Sequence, residues 1–194
     1  MECLFGITGN NFCILAADKV SARSIVVMKT TEDKTRDLNP NLVMCYSGEP
    51  GDTVQFAEYI TCNIKFYGIK NQVELSAKAA ASFTRRELAN SLRSRKPYNV
   101  NMLIGGCSET EGPALYWIDY LAAMSKMPFA AHGYGAYFCL SLMDRFYRPD
   151  LSLEEAKEIL RKCFAEMKKR FIVNFPEFTI KLITSEGIQE IQLE

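Results

Sequence analysis

Apolar residues crowd positions 3–7 and 12–17 of the chain, with Gly9, Asn10 and Asn11 between them. Two short strand-like runs joined by residues that tolerate positive φ predict a β-hairpin, and Asp18 ends its second strand. Residues 24–29 are rich in β-branched side chains, 30–37 read as a polar turn, and an apolar strand over 42–47 ends at Gly48. The period then changes. From Asp52, a candidate N-cap, Val54, Ala57, Ile60, Ile64 and Tyr67 recur at three- or four-residue steps, which predicts a helix. A second helix follows Ser76, with Ala80, Thr84, Leu88 and Leu92 four apart. Arg85, Arg86, Arg93 and Arg95 occupy its other side, which reads as a solvated face.

Strand periodicity returns at Tyr98, Val100, Met102 and Ile104, which alternate with Asn99, Asn101 and Leu103. Gly105-Gly106 and residues 109–113 read as turns, and 114–122 is apolar on both faces, as a central strand is. A third helix is predicted to begin near His132, with Ala136, Leu140, Met143 and Tyr147 on one side. A fourth opens with the capping box Ser152-x-x-Glu155, followed by Ala156, Leu160, Cys163, Met167 and Phe171. Runs at 178–184 and 188–193 around Glu186-Gly187 predict a closing hairpin. Strands, two helices, strands, two helices, strands is the order of an α/β fold. Doubly apolar strands need cover on both faces, which a four-layer α/β/β/α sandwich supplies. No linker, repeat or low-complexity segment interrupts residues 1–194, so a single domain is expected.

Composition narrows the function. At 194 residues and 48% hydrophobic, the chain can bury a sizeable core. Lys plus Arg equals Asp plus Glu at 23 each, so the basic excess of a nucleic-acid binder is missing, and near-zero charge favours association. The seven cysteines are scattered through apolar runs without a Cys-x-x-Cys, which reads as small buried hydrophobes in a reducing compartment. With His132 as the only histidine, metal ligation is disfavoured, and no cofactor is expected. No apolar run approaches the roughly 20 residues that cross a bilayer, and the N-terminus lacks the features of a secretory signal. A soluble cytoplasmic or nuclear chain is expected.

Two stretches invite chemistry. "HGYGAYF" at 132–138 places glycines before a helix but lacks the Gly-Lys-Ser/Thr ending of a phosphate loop, so a tight helix start and a structural His132 are the better reading. Asp18 at a strand end and Lys34 in the following turn region are either a structural cap or a pair that tunes an amine to take a proton from a nucleophile.

"LAADKV", "YSGEPGDTVQF", "RRELANSLRSRKPY", "GPALYWIDYLA" and "PFAAHGYGA", in this order, resemble the proteasome beta-subunit family, in particular its eukaryotic type-2 branch. The resemblance runs from Glu2 to about Gln192. It implies the N-terminal-nucleophile hydrolase fold, an α/β/β/α sandwich. It also implies that active relatives begin their first strand with a threonine, exposed by self-cleavage, whose hydroxyl attacks a peptide bond. Here Glu2 stands at the nucleophile position with only Met1 before it, so neither a propeptide nor a Gly-Thr junction is expected. Asp18 and Lys34 match the family's supporting aspartate and lysine. Tyr134 replaces the serine expected before the third helix, and Phe171 and Asn174 stand for a later aspartate and serine.

The resemblance with these departures implies a non-catalytic structural beta subunit of the 20S core particle. Its partners would be other beta subunits of the same ring, alpha-ring subunits and the opposite beta ring, with assembly chaperones as further candidates. The alternative is an active amidase that uses Cys3 after trimming. A one-residue slip along a strand is expected to turn Cys3 to the opposite face, away from Asp18 and Lys34.

Overall fold

The computed structural model describes residues 2–23 and 26–193. In chain order the elements are β1 (Cys3–Gly9), β2 (Phe12–Asp18), β3 (Ser21–Arg23), β4 (Val26–Lys29), β5 (Thr35–Asn39), β6 (Leu42–Gly48), α1 (Pro50–Asn71) and α2 (Ala77–Leu92). They continue with β7 (Val100–Ser108), β8 (Gly112–Ile118), β9 (Met124–Lys126), β10 (Phe129–Gly133), α3 (Tyr134–Phe146), α4 (Leu153–Arg170), β11 (Phe178–Thr184) and β12 (Gly187–Glu190).

Among the described residues the strands form two five-stranded antiparallel sheets, β10-β1-β2-β11-β12 and β5-β6-β7-β8-β9, while β3 and β4 pair separately. Three apolar cores separate four layers. Leu4, Leu15, Val43, Leu103 and Leu115 fill the space between the sheets. Phe56, Ile60, Ile64 and Leu88 of α1 and α2 pack on Met44, Met102 and Ile104 of the second sheet. Cys139, Met143, Leu160 and Met167 of α3 and α4 pack on Phe5, Ile7 and Ile14 of the first. The α/β/β/α sandwich expected from the order of elements is therefore the observed one, because each sheet is apolar on both faces and each helix pair covers one of them.

The local signals locate most elements. Ser152 accepts the Glu155 N–H while the Glu155 carboxylate accepts the Ser152 N–H at 2.9 Å, completing the capping box. Ser76 caps α2. Where expectation and structure differ, the reason is long-range packing or a local side-chain hydrogen bond. Gly105 and Gly106 do not turn the chain but run inside β7, opposite Leu115 and Ala114. A Cβ on Gly105 would lie 2.7 Å from Cys13 Sγ, so the glycine lets the two sheets approach. α1 starts at Pro50 rather than at Asp52, whose carboxylate instead accepts the Asn99 N–H at 3.0 Å. Val54 and Tyr67 are exposed, and Thr53 and Phe56 take the buried face. The strand expected over 24–29 is seen as β4, preceded by β3; Ser24 and Ile25 lie outside the described residues. The polar segment 30–37 already contains the start of β5. His132 belongs to β10, and α3 begins two residues later. The apolar run 114–122 leaves its strand at Ile118, because the Asp119 carboxylate accepts the Leu121 and Ala123 N–H groups and bends the chain.

Candidate functional site

Glu2 leads into β1, Asp18 ends β2, Lys34 immediately precedes β5, and Gly48 ends β6. The two sheets thereby bring four residues that are distant in sequence to one end of the sandwich. Asp18 is fully buried. Its Oδ1 accepts the Lys34 Nζ at 2.8 Å and the Val20 N–H at 3.0 Å, and its Oδ2 accepts the Cys3 N–H at 2.8 Å. Lys34, also buried, donates a second hydrogen bond to the Val20 carbonyl at 2.7 Å. The two residues singled out in sequence therefore touch, within a network that also ties down the first residue of β1.

Glu2 completes the group. Its Oε2 accepts the Gly48 N–H at 2.7 Å, and its Oε1 lies 3.6 Å from Lys34 Nζ. Burial pushes the Glu2 carboxyl above its ordinary value, against the opposing pull of the Lys34 ammonium. Sequence reasoning does not single out Gly48 as part of a site. Its signal is its place at the end of the apolar run 42–47, but only the structure aims its N–H at Glu2. Its φ of 141° and the 2.2 Å that would separate a Cβ from the Asn99 carbonyl oxygen require glycine there.

On the other side of Glu2 the chemistry changes. Gly133, at φ 70°, lets β10 pass so close to Glu2 that a Cβ would lie 2.0 Å from the Glu2 carbonyl oxygen. That oxygen accepts the Tyr134 N–H at 3.1 Å. The Tyr134 ring rests 5.1 Å from Phe171, which stacks on Phe175 and meets Phe138 edge-on. Tyr134 and Phe171 are thus brought together through their rings. Asn174 is exposed between α4 and β11 and joins neither group among the described residues.

The sequence matches the Proteasome family, described as proteasome subunit, over residues 2–183. The chain belongs to the proteasome subunit family. It is 49% identical to a probable proteasome subunit beta type-4 of Neurospora crassa over all of this chain and 96% of that protein. It is 47% identical to proteasome subunit beta type-2-B of Arabidopsis thaliana, and 45% identical to proteasome subunit beta type-4 of Saccharomyces cerevisiae. Each of these alignments covers 98% of this chain, with 95% of the plant protein and 97% of the yeast protein. As a proteasome beta-type subunit, the chain has the α/β/β/α sandwich of N-terminal-nucleophile hydrolases, with Glu2, Asp18 and Lys34 grouped at the start of its first strand.

Cys3 sits as its strand position predicts: only its backbone N–H meets Asp18, bound by that carboxylate, while its side chain turns to the sheet face opposite that of Leu4. There it is fully buried in the core beneath α3 and α4, with Phe5 and Cys139. Burial, and after it the Asp18 carboxylate, pushes the thiol well above its ordinary value, so a thiolate is disfavoured. His132 is buried in β10, stacked on Trp117 at 4.9 Å, with Nε2 donating to the Met102 carbonyl at 3.1 Å. Burial lowers it to about 4, which keeps the ring neutral near pH 7 and fits a packing role.

Proposed function

We propose that this chain is a non-catalytic structural beta subunit of the 20S proteasome core particle, acting as a single domain over residues 1–194. The observation that carries the reading is Glu2. A carboxylate has no hydroxyl or thiol to add to a peptide carbonyl, and this one is bonded to the Gly48 N–H beside Lys34. The surroundings point the same way. The resemblance implies a serine, an aspartate and a serine where Tyr134, Phe171 and Asn174 stand, so four positions of the site depart together. Asp18 and Lys34 then serve as a structural pair. The subunit helps build a beta ring and the proteolytic chamber used in ubiquitin-dependent and other intracellular protein degradation.

Its partners in this reading are the neighbouring beta subunits, the alpha ring and the opposite beta ring, with assembly chaperones as transient companions, in cytoplasm and nucleus. Large apolar side chains stand in solvent at Phe66, Ile69, Tyr137 and Ile172, where neighbours would cover them. The test is a threonine-directed epoxyketone probe applied to assembled particles. The active subunits should be labelled and this chain should not. Covalent labelling of this chain would overturn the reading.

A further inference from the structure

Two cysteines meet inside the helical layer that covers the first sheet. Cys139 lies near the middle of α3 and Cys163 near the middle of α4, and both are free, fully buried thiols. The Cys139 thiol donates to the Cys163 carbonyl at 3.5 Å, and it also lies within hydrogen-bonding reach of the Cys163 sulfur. One sulfur thus touches both the backbone and the side chain of the other residue, so rotation about χ1 is the motion that closes the pair. The surroundings are apolar, with Met143, Ala156, Leu160 and Met167 in the same core. Packing alone asks only for a small apolar side chain at each place. Two sulfurs in contact add a bond that alanine cannot form. The cysteines are 24 residues apart on different helices, so that bond would tie α3 to α4 across the turn that joins them.

We infer that Cys139 and Cys163 are a disulfide-forming pair, which hydrogen peroxide oxidises to a bond that fastens α3 to α4. The Cys139 thiolate attacks one peroxide oxygen and breaks the O–O bond, which leaves a sulfenic acid and, after protonation, releases water. The Cys163 sulfur then attacks the sulfenic sulfur. The S–S bond forms, and the departing hydroxide takes the Cys163 proton and leaves as a second water. Two thiols are oxidised and one peroxide is reduced. The hydrogen bond with Cys139, and after it burial, pushes the Cys163 thiol well above its ordinary value, which leaves the first step to Cys139. Because both sulfurs are buried, peroxide enters through local opening of the helix pair, and oxidation is slow. The same burial shields the finished bond from charged thiols such as glutathione. Cys3 is a third sulfur in this core, but the hydrogen bonds of Cys139 run to Cys163. The pair does not rest on the proposed ring role.

The test treats assembled particles with hydrogen peroxide, unfolds them in N-ethylmaleimide to block the remaining thiols, and maps this chain by mass spectrometry without reduction. A peptide pair joining Cys139 to Cys163 should appear, two hydrogen atoms lighter than its reduced halves. It should be absent before treatment and lost again with dithiothreitol. Hydrogen exchange over α3 and α4 should slow on oxidation and recover with dithiothreitol. Cys3→Ala should leave the linked pair in place, and Cys163→Ala should abolish it. The mapping of the unaltered chain stands by itself should either variant fail to assemble. Recovery of Cys139 and Cys163 as maleimide adducts, at a peroxide dose that has oxidised the exposed Cys62, would overturn the inference. So would a bond from Cys139 to Cys3, sulfinic or sulfonic acid at Cys139 without a link, or unchanged exchange in a linked chain.

Discussion

Glu2 has two kinds of neighbour, and they are held together by different physics. Toward β2 and β6 lie Asp18, Lys34 and the Gly48 N–H, linked by hydrogen bonds of 2.7 to 3.0 Å. Toward α3 and the end of α4 lie Tyr134, Phe171, Phe175 and Phe138, with ring centroids 5.1 to 6.0 Å apart. The ionic side is directional and complete: among the described residues, no buried side-chain nitrogen or oxygen lacks a partner. The aromatic side is neither, and Tyr134 is 45% exposed. A buried charge network must be kept whole, since losing one member strands the rest, whereas packed rings can be exchanged one at a time. Asp18 and Lys34 therefore have a reason to be present that involves no chemistry.

The largest test of that contrast is Lys34→Met. It leaves the fully buried Asp18 carboxyl without its cation, supported only by the Cys3 and Val20 N–H groups, and it strips the Val20 carbonyl of its donor. Breaking a buried pair in this way costs about 3–5 kcal/mol. The expected outcome is a much lower denaturation midpoint and poor incorporation into particles. Adding Asp18→Leu should recover part of the loss by removing the stranded buried carboxyl. The recovery should be incomplete, because Cys3 and Val20 then lose their acceptor. Full stability in the single variant would show that the ionic side is not a unit.

Next is Phe171→Ala on the aromatic side. Phe171 is half-buried and touches Tyr134, Phe138 and Phe175. The expected cost is about 1–2 kcal/mol, below the roughly 3–5 kcal/mol of a fully buried phenylalanine. Phe171→Leu should regain most of it, since packing rather than geometry is at stake. Equilibrium unfolding measures both. A cost equal to that of Lys34→Met would erase the distinction between the two sides.

These regions are unequally legible in the sequence. The capping box at Ser152, the N-cap at Ser76 and the first hairpin are local signals, and each locates its element. The glycines of β7 mislead because Gly105 reads locally as a turn, while its reason lies across the sheet interface at Cys13. β10 is hidden because a five-residue strand runs into α3 with only Gly133 to mark the change. At the site, the family resemblance points to Asp18 and Lys34, and the structure adds that they touch. The bond from Gly48 to Glu2 cannot be read from sequence, since it depends on how β6 ends against Asn99. For Cys3 the strand face is legible locally, and the structure adds that its side chain is fully buried beneath α3 and α4.

The smallest and sharpest test asks to which side Glu2 itself belongs. Burial raises its pKa above the ordinary 4.5, and Lys34 only partly opposes that rise. A raised carboxylate binds its proton more tightly in the folded chain than in the unfolded one. Below the ordinary value both states are protonated and no penalty arises. As pH rises from there through the folded value, the unfolded chain ionises first and stability falls. Above the folded value the loss is constant. Glu2→Gln keeps an oxygen for the Gly48 N–H and does not titrate, so it removes this slope. The difference in unfolding midpoint between Glu2→Gln and the unaltered chain should drift in favour of the variant as pH rises through that window, and then level off. A drift in the opposite direction would mean that attraction to Lys34 outweighs burial. Glu2 would then be a full member of the ionic network, and the division between a charged frame and the side chain that closes it would have to be redrawn.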